Sequence, residues 1–263
     1  MTNTESHKPM KTQSYKYCLY CLPSAGSSAS MYFPWKQFSA KNLRIHAIEY
    51  PGHGSRIQEA LLSSPVELIE DIANNIIKHH QPNEHIALFG HSLGGGLVPY
   101  IAEKLQSLKP ELSICLLIIS GRGAFATSNS IADAQQINND ASLLHFLEKY
   151  EGIPNALLNH QEALDFFLPI IRNDVLLNSS LLSFTTKPKS TDIPLLVFAG
   201  RQDKNTSNQN LEAWHICSHQ WLGVFFFEGG HFYLNEPSNI HAILSLIKKH
   251  LGSYQPTSNE HSI

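Results

Sequence analysis

Six short apolar runs, separated by stretches of helical periodicity, constrain this chain more than any other feature of its sequence. The runs cover residues 16–22, 44–50, 85–90, 114–120, 194–200 and 223–228. Each is short and nearly continuous in apolar residues, which is the pattern of strands buried on both sides. Helical patterns fall between them, at 65–81, 94–108, 161–182, 208–217 and 238–251. The first opens on Ser64, Pro65 and Glu67, which predicts a capping box with proline in the first turn. Its apolar positions Val66, Ile69, Ile72, Ala73, Ile76 and Ile77 return at helical spacing. Strand alternating with helix predicts an α/β fold, a mostly parallel central sheet flanked by helices on both faces.

One stretch breaks the alternation. More than 70 residues separate the run ending near Ser120 from the run starting near Pro194, and a simple crossover needs far fewer. Two helical patterns lie there, about 141–151 and 161–182. The second is apolar over much of its surface, through Leu164, Phe166, Phe167, Leu168, Ile170, Ile171, Val175, Leu176 and Leu177. An inserted helical lid at about 125–188 is the expectation.

The 263 residues, 42% of them hydrophobic, suit a single domain over 1–263, with disorder-prone ends at 1–14 and 252–263. A net charge of −3 gives no electrostatic case for nucleic acid. Residues 1–16 carry no apolar segment ending in a small-residue cleavage site. None of the apolar runs approaches the roughly 20 residues that cross a bilayer. A soluble, cytoplasmic monomer with reduced thiols is expected.

The most informative local motif is Gly90-His91-Ser92-Leu93-Gly94, placed after a predicted strand and before a predicted helix. That is G-x-S-x-G in the context that gives it meaning: a turn so sharp that the serine takes a strained conformation and projects at the carboxyl end of the sheet. The glycines let neighbouring chain segments approach, and the helix N-terminus beneath favours negative charge. A serine hydroxyl needs a base to become a nucleophile. With this elbow, the partners are expected in the chain order serine, acid, histidine. Asp203 follows the strand in PLLVFAGRQD, and His231 follows the strand in VFFFEGGH. Both fall at carboxyl ends of strands, on the edge that carries Ser92. Asp192 precedes its strand, Asp174 lies inside the lid helix, and Glu228 is assigned to the turn before His231. His53 precedes Ser92, and His91 is inside the elbow. In the resulting triad His231 moves the proton and Asp203 holds its tautomer. The oxyanion would be met by the backbone N–H of Leu93 and by one from the loop Pro23-Ser24-Ala25-Gly26-Ser27.

Several segments, taken with these residues, make the chain resemble the type II thioesterases, the stand-alone editing hydrolases of nonribosomal peptide and polyketide synthesis. They are CLPSAGSSASMYFPW, YPGHGSR, LFGHSLGG, ISGRGA, FLPIIRND, VFAGRQD and GGHFYL, spread over about residues 17–250. The resemblance implies the α/β-hydrolase fold with an inserted lid. It implies a triad of Ser92, Asp203 and His231, and oxyanion-hole donors at Ala25 and Leu93. His53 stands where that family commonly has arginine, and Leu93 where methionine is frequent. The implied substrate is an acyl thioester on the phosphopantetheine arm of acyl or peptidyl carrier domains. No metal or resident cofactor is then needed, since the pantetheine arrives with the substrate. Phe166, Phe167 and Leu168 of the lid are candidates to cover the acyl chain. The alternatives are a medium-chain thioesterase releasing chains from a fatty-acid synthase, a carboxylesterase or lipase, and a catalytically silent binding protein on the same scaffold.

Other signals are weaker. Cys18 and Cys21 form C-x-x-C on a strand, where residues three apart point to opposite faces. His215 and His219 read as a solvated face. Arg122 and Arg201 lie at strand ends near the active edge, to meet the carrier-arm phosphate or to pair with carboxylates.

Overall fold

The computed structural model describes residues 16–38, 42–124, 137, 139–149, 160–182 and 188–254. Six strands form one sheet: β1 (Lys16–Leu22), β2 (Leu43–Ala47), β3 (Glu84–His91), β4 (Ile114–Ser120), β5 (Leu195–Gly200) and β6 (Trp221–Phe227). Their spatial order is β2-β1-β3-β4-β5-β6, and all five pairings are parallel. The helices are α1 (Phe33–Lys36), α2 (Pro65–His79), α3 (Leu93–Leu108), α4 (Asp140–Lys149), α5 (Gln161–Leu182), α6 (Asn208–Glu212) and α7 (Pro237–Gly252).

Strand alternation sorts the core into two halves. Cys18, Tyr20 and Leu22 of β1 pack with α2 and α3 on one face of the sheet. Tyr17, Leu19 and Cys21 face the other side, with Trp35 of α1 and Ile240, Ile243 and Ile247 of α7. Cys18 and Cys21 therefore lie on opposite faces, both buried free thiols. A third, smaller core belongs to α4 and α5, in the insertion between β4 and β5. It is built from Leu143, Leu147, Leu164, Leu168, Ile171 and Val175.

The strand order decides where a site can lie. From β1 the chain moves outward to β2, then crosses back to β3 on β1's other side. Order reverses between β1 and β3, and loops leaving the carboxyl ends of those two strands open a crevice. The register aligns these ends: Leu22 pairs with Gly90, His91 with Ser120, Ser120 with Phe198, and Gly200 with Phe227.

Several local expectations are corrected. Ser64 is the N-cap residue of α2, but its hydroxyl makes no capping bond. Pro65 brings no N–H to cap, and the exposed Val66 leaves this first turn open to water. Leu68, not Val66, completes the buried stripe. The helix expected over 208–217 is α6 followed by a 3-10 turn at Ala213–Cys217. β6 is half-buried throughout, as an edge strand of the sheet. Of the lid expected over 125–188, residues 125–136, 138, 150–159 and 183–187 lie outside the described residues, as do the ends 1–15 and 255–263. Tyr254 is described, and its hydroxyl lies 3.1 Å from the Ser113 hydroxyl. No helix among the described residues is long and apolar enough to cross a membrane.

Candidate active site

Ser92 sits between β3 and α3 with φ 52° and ψ −110°, in a region that costs a non-glycine residue about 1–3 kcal/mol. Neighbouring backbone holds it there. Its N–H donates to the Ser120 carbonyl at 2.8 Å, and its carbonyl accepts from Gly96 N–H at 3.1 Å. The two glycines of the motif are required sterically. A methyl group on Gly90 would run into the Gly94 carbonyl, and one on Gly94 into the Leu22 carbonyl. Although Ser92 occupies the N-cap position of α3, its hydroxyl makes no capping bond.

Asp203 and His231 arrive on the loops after β5 and β6. His231 Nδ1 lies 2.9 Å from Asp203 Oδ2, with both side chains buried. The other carboxylate oxygen, Oδ1, accepts the Asn205 N–H at 2.9 Å. A carboxylate only accepts, so Nδ1 carries the proton and Nε2 is left as the basic nitrogen. The imidazole is set against the elbow. Its ring centre lies 4.8 Å from that of His91, and a methyl group on Gly121 would be 3.2 Å from its Cε1. Gly121 follows Ser120, whose carbonyl receives the Ser92 N–H.

His91 is itself locked. Its Nδ1 is 2.9 Å from Ser120 Oγ, which lies 2.6 Å from the Tyr233 hydroxyl. Burial, and secondarily the charge of His231, hold the His91 pKa well below 6.5. It therefore packs against His231 as a neutral ring. Tyr233 also stacks on Phe227 at 5.4 Å, fixing the turn that carries His231 to β4 and β6. On the outer side, Glu228 binds Arg201 at 2.9 Å and Gln202 at 3.0 Å. Glu228 thus braces the turn, and Arg201 pairs with a carboxylate.

The loop after β1 is held from four directions. Tyr32 OH donates to the Leu22 carbonyl at 2.8 Å, Tyr50 OH to the Pro23 carbonyl at 3.0 Å, and Gly94 N–H to Pro23 at 3.1 Å. Gly26 N–H donates to Asp174 Oδ2 at 2.8 Å. Among the described residues, no protein acceptor meets the N–H of Ala25 or Leu93. These two residues follow Ser24 and Ser92, and the Gly94–Pro23 bond ties their segments together.

The remaining expectations fare differently. Phe166 and Phe167 are exposed on α5 and pack edge to face, with ring centres 5.0 Å apart. Leu168 instead points into the core between α4 and α5. Asp192 is at the opposite sheet edge, 2.9 Å from His219. Arg122 is half-buried, with Nη1 donating to Asn178 at 2.7 Å; desolvation lowers its pKa to about 10. Sequence reasoning set Asp174 aside as a triad candidate and missed that it is buried against His53 and Gly26. Its spacing from Ile170 and Ile171, four and three residues on, was the available signal, because it puts the carboxylate on the buried face of α5.

The thioesterase domain family matches residues 18–251. The chain belongs to that family. The thioesterase is 28% identical over 223 residues to the gramicidin S biosynthesis protein GrsT of Aneurinibacillus migulanus, covering 84% of each chain. It is 24% identical over 233 residues to the medium-chain S-acyl fatty acid synthase thioesterase of Rattus norvegicus, covering 88% of this chain and 86% of that one. The crystal structure of ClbQ from the colibactin NRPS/PKS pathway superposes with a TM-score of 0.78 at 26% identity, covering 91% of this chain and 100% of that one. The fold is that of the α/β-hydrolases, and the enzyme is a thioester hydrolase.

Proposed function

We propose that this thioesterase removes stalled or wrongly primed acyl groups from the phosphopantetheine arms of carrier domains in a nonribosomal peptide or polyketide synthase. Catalysis passes through an acyl-enzyme at Ser92. The observation that carries the reading is the buried His231–Asp203 pair, 2.9 Å apart, lodged against the strained elbow of Ser92.

His231 Nε2 takes the Ser92 proton as Oγ attacks the thioester carbonyl. Asp203 keeps the proton on Nδ1 and stabilises the imidazolium that forms. The oxyanion is met by the N–H groups of Ala25 and Leu93, each worth about 3 kcal/mol in such a site. The pantetheine sulfur leaves with the proton from His231. A thiol, with a pKa of about 8.5, departs with less help than an alkoxide. Water, deprotonated by His231, then releases the acid and restores Ser92. The insertion acts as a lid, with Phe166 and Phe167 offering apolar surface to the acyl chain. This reading needs no metal and sets the enzyme in the cytoplasm with its carrier partners.

The kinship with GrsT and ClbQ supports a synthase partner, while the rat relative supports a second reading, release of medium-chain fatty acids. Hydrolysis rates on acyl groups of graded length, each loaded on a synthase carrier and on a fatty-acid carrier, separate the two. A fluorophosphonate is expected to label Ser92, and Ser92→Ala to lose turnover on acyl-pantetheine while remaining folded. Full activity in that variant, or labelling at another residue, overturns the mechanism.

A further inference from the structure

Beside the loop that carries Ala25, three segments converge on one carboxylate oxygen. Asp174 Oδ2, from α5, lies 2.8 Å from Gly26 N and 3.0 Å from His53 Nε2. The opposite ring nitrogen, His53 Nδ1, lies 2.9 Å from the Pro51 carbonyl oxygen. His53 and Asp174 are 4% and 2% exposed, so no bulk water stands in for either partner. A carbonyl oxygen and a carboxylate oxygen both only accept. To make both bonds each ring nitrogen of His53 must donate, and the ring that makes them is an imidazolium.

We infer that His53 and Asp174 are positioning residues, a charged clamp that fixes the Gly26 N–H and with it the neighbouring Ala25 N–H of the oxyanion hole. The inference rests on the reading of the site proposed above. Gly26 sits at φ +70°, and a methyl group there would be 2.7 Å from Ile171 Cγ1. The loop thus lies directly on α5, and the Asp174 bond sets its height. While His53 is charged, Asp174 Oδ2 receives two donors. When the ring loses a proton, one nitrogen must stop donating, and either Asp174 or the Pro51 carbonyl loses its partner.

The surroundings of His53 fix the direction of its titration. Burial opposes the charge on the ring. The hydrogen bond to Asp174, the charge of Asp174, the Pro51 carbonyl and the charge of Glu49 together outweigh burial and hold the pKa above 6.5. Glu49 is oriented by the N–H groups of Ala29 and Ser55, at 2.8 and 3.1 Å. The Tyr50 ring stands edge-on to His53 at 5.9 Å, and burial raises its own pKa, keeping it neutral. Arg56 is tied up by Asp71 and Glu59, with its Nη1 also donating to the Glu49 carbonyl. The clamp is therefore closed below pH 6.5 and opens as pH rises through the raised His53 pKa.

The test is the pH dependence of kcat and KM for acyl-pantetheine. Wild-type kcat is expected to fall on the alkaline side with little change in KM. His53→Gln should show no such limb and should run at the low alkaline level throughout, roughly 10- to 100-fold below the wild-type maximum, the scale of a misplaced catalytic group. His53→Arg, charged at every working pH, should keep its activity into the alkaline range. Imidazole nitrogen-15 shifts of wild-type protein give a check that needs no variant: below pH 6.5 both His53 nitrogens should be protonated. A single neutral tautomer, or a His53→Gln profile superposing on wild type, overturns the clamp. Fluorophosphonate labelling run alongside keeps the two readings apart. If Ser92 labels and His53→Gln is unchanged, the clamp alone fails; if Ser92 does not label, the triad fails.

Discussion

At the residue scale, the elbow concentrates its demands on positions that lack a side chain. At Gly94, as at Gly90, the atoms a methyl group would strike are backbone, here the Leu22 and Pro23 carbonyls, which cannot swing aside. Gly94→Ala must either push β1's loop away or unwind the first turn of α3, and both separate the Ala25 and Leu93 donors. The expected result is a loss of about 3 kcal/mol in urea denaturation, at the upper end for overpacking, together with a fall in kcat. An alanine variant of wild-type stability would mean that the elbow is far looser than its contacts imply. The same local logic made this part of the site legible from sequence. The spacing of Gly90, Ser92 and Gly94 follows from one steric problem, and Asp203 and His231 follow from strand ends. His53 and Asp174 were not legible in that way. Their meeting joins residues 121 positions apart, and no local pattern encodes which loop the buried face of α5 will touch.

At the element scale, α5 shows how one helix divides its faces. Leu164, Leu168, Ile171 and Val175 serve the small core shared with α4. Asn173 donates to the Leu62 carbonyl at 2.9 Å, and Arg172 to Asp140 at 2.5 Å, fastening the helix to the body and to α4. Phe166 and Phe167 are left exposed, 53% and 38%, touching each other. Periodicity announced an apolar helix, but the run Phe166-Phe167-Leu168 was too uniform to reveal that its third member turns inward. β6 posed the converse problem. Its aromatic run reads as an interior strand, while only the sheet order makes it an edge. Side chains that support the fold and side chains that serve a ligand separate by measurement. Phe166→Ser with Phe167→Ser should shift stability by no more than about 0.5 kcal/mol, as exposed substitutions do, and should raise KM for long acyl chains more than for acetyl. A large loss of stability, or KM values unchanged along the acyl series, would remove these rings from the substrate's path.

At the scale of the whole molecule, its many histidines give the folded state a direction of pH sensitivity. Burial lowers the pKa of His80, His85, His91 and His250 below 6.5, and that of His46 to about 4. The geometry at His46 agrees: Arg44 Nη1, which only donates, lies 3.4 Å from its Nδ1, so that nitrogen must keep its lone pair. An unfolded chain releases these rings to titrate near 6.5, so below that pH it binds more protons than the folded chain. The stability these neutral rings contribute is complete above pH 6.5 and drains away as pH falls toward their folded-state values. His53 works the other way, its contribution present below pH 6.5 and lost as pH rises through its raised value. Five depressed groups against one raised group set the net sign among the described residues. Each net proton taken up on unfolding costs about 1.4 kcal/mol per pH unit. Urea midpoints should therefore fall between about pH 7 and about pH 5, before the carboxylates titrate appreciably. His46→Asn, which removes the ring whose pKa burial lowers to about 4, should make that decline shallower. A midpoint that holds steady or climbs on acidification would mean that these rings are already protonated inside the fold, and the neutral packing of His91 against His231 would fall with them.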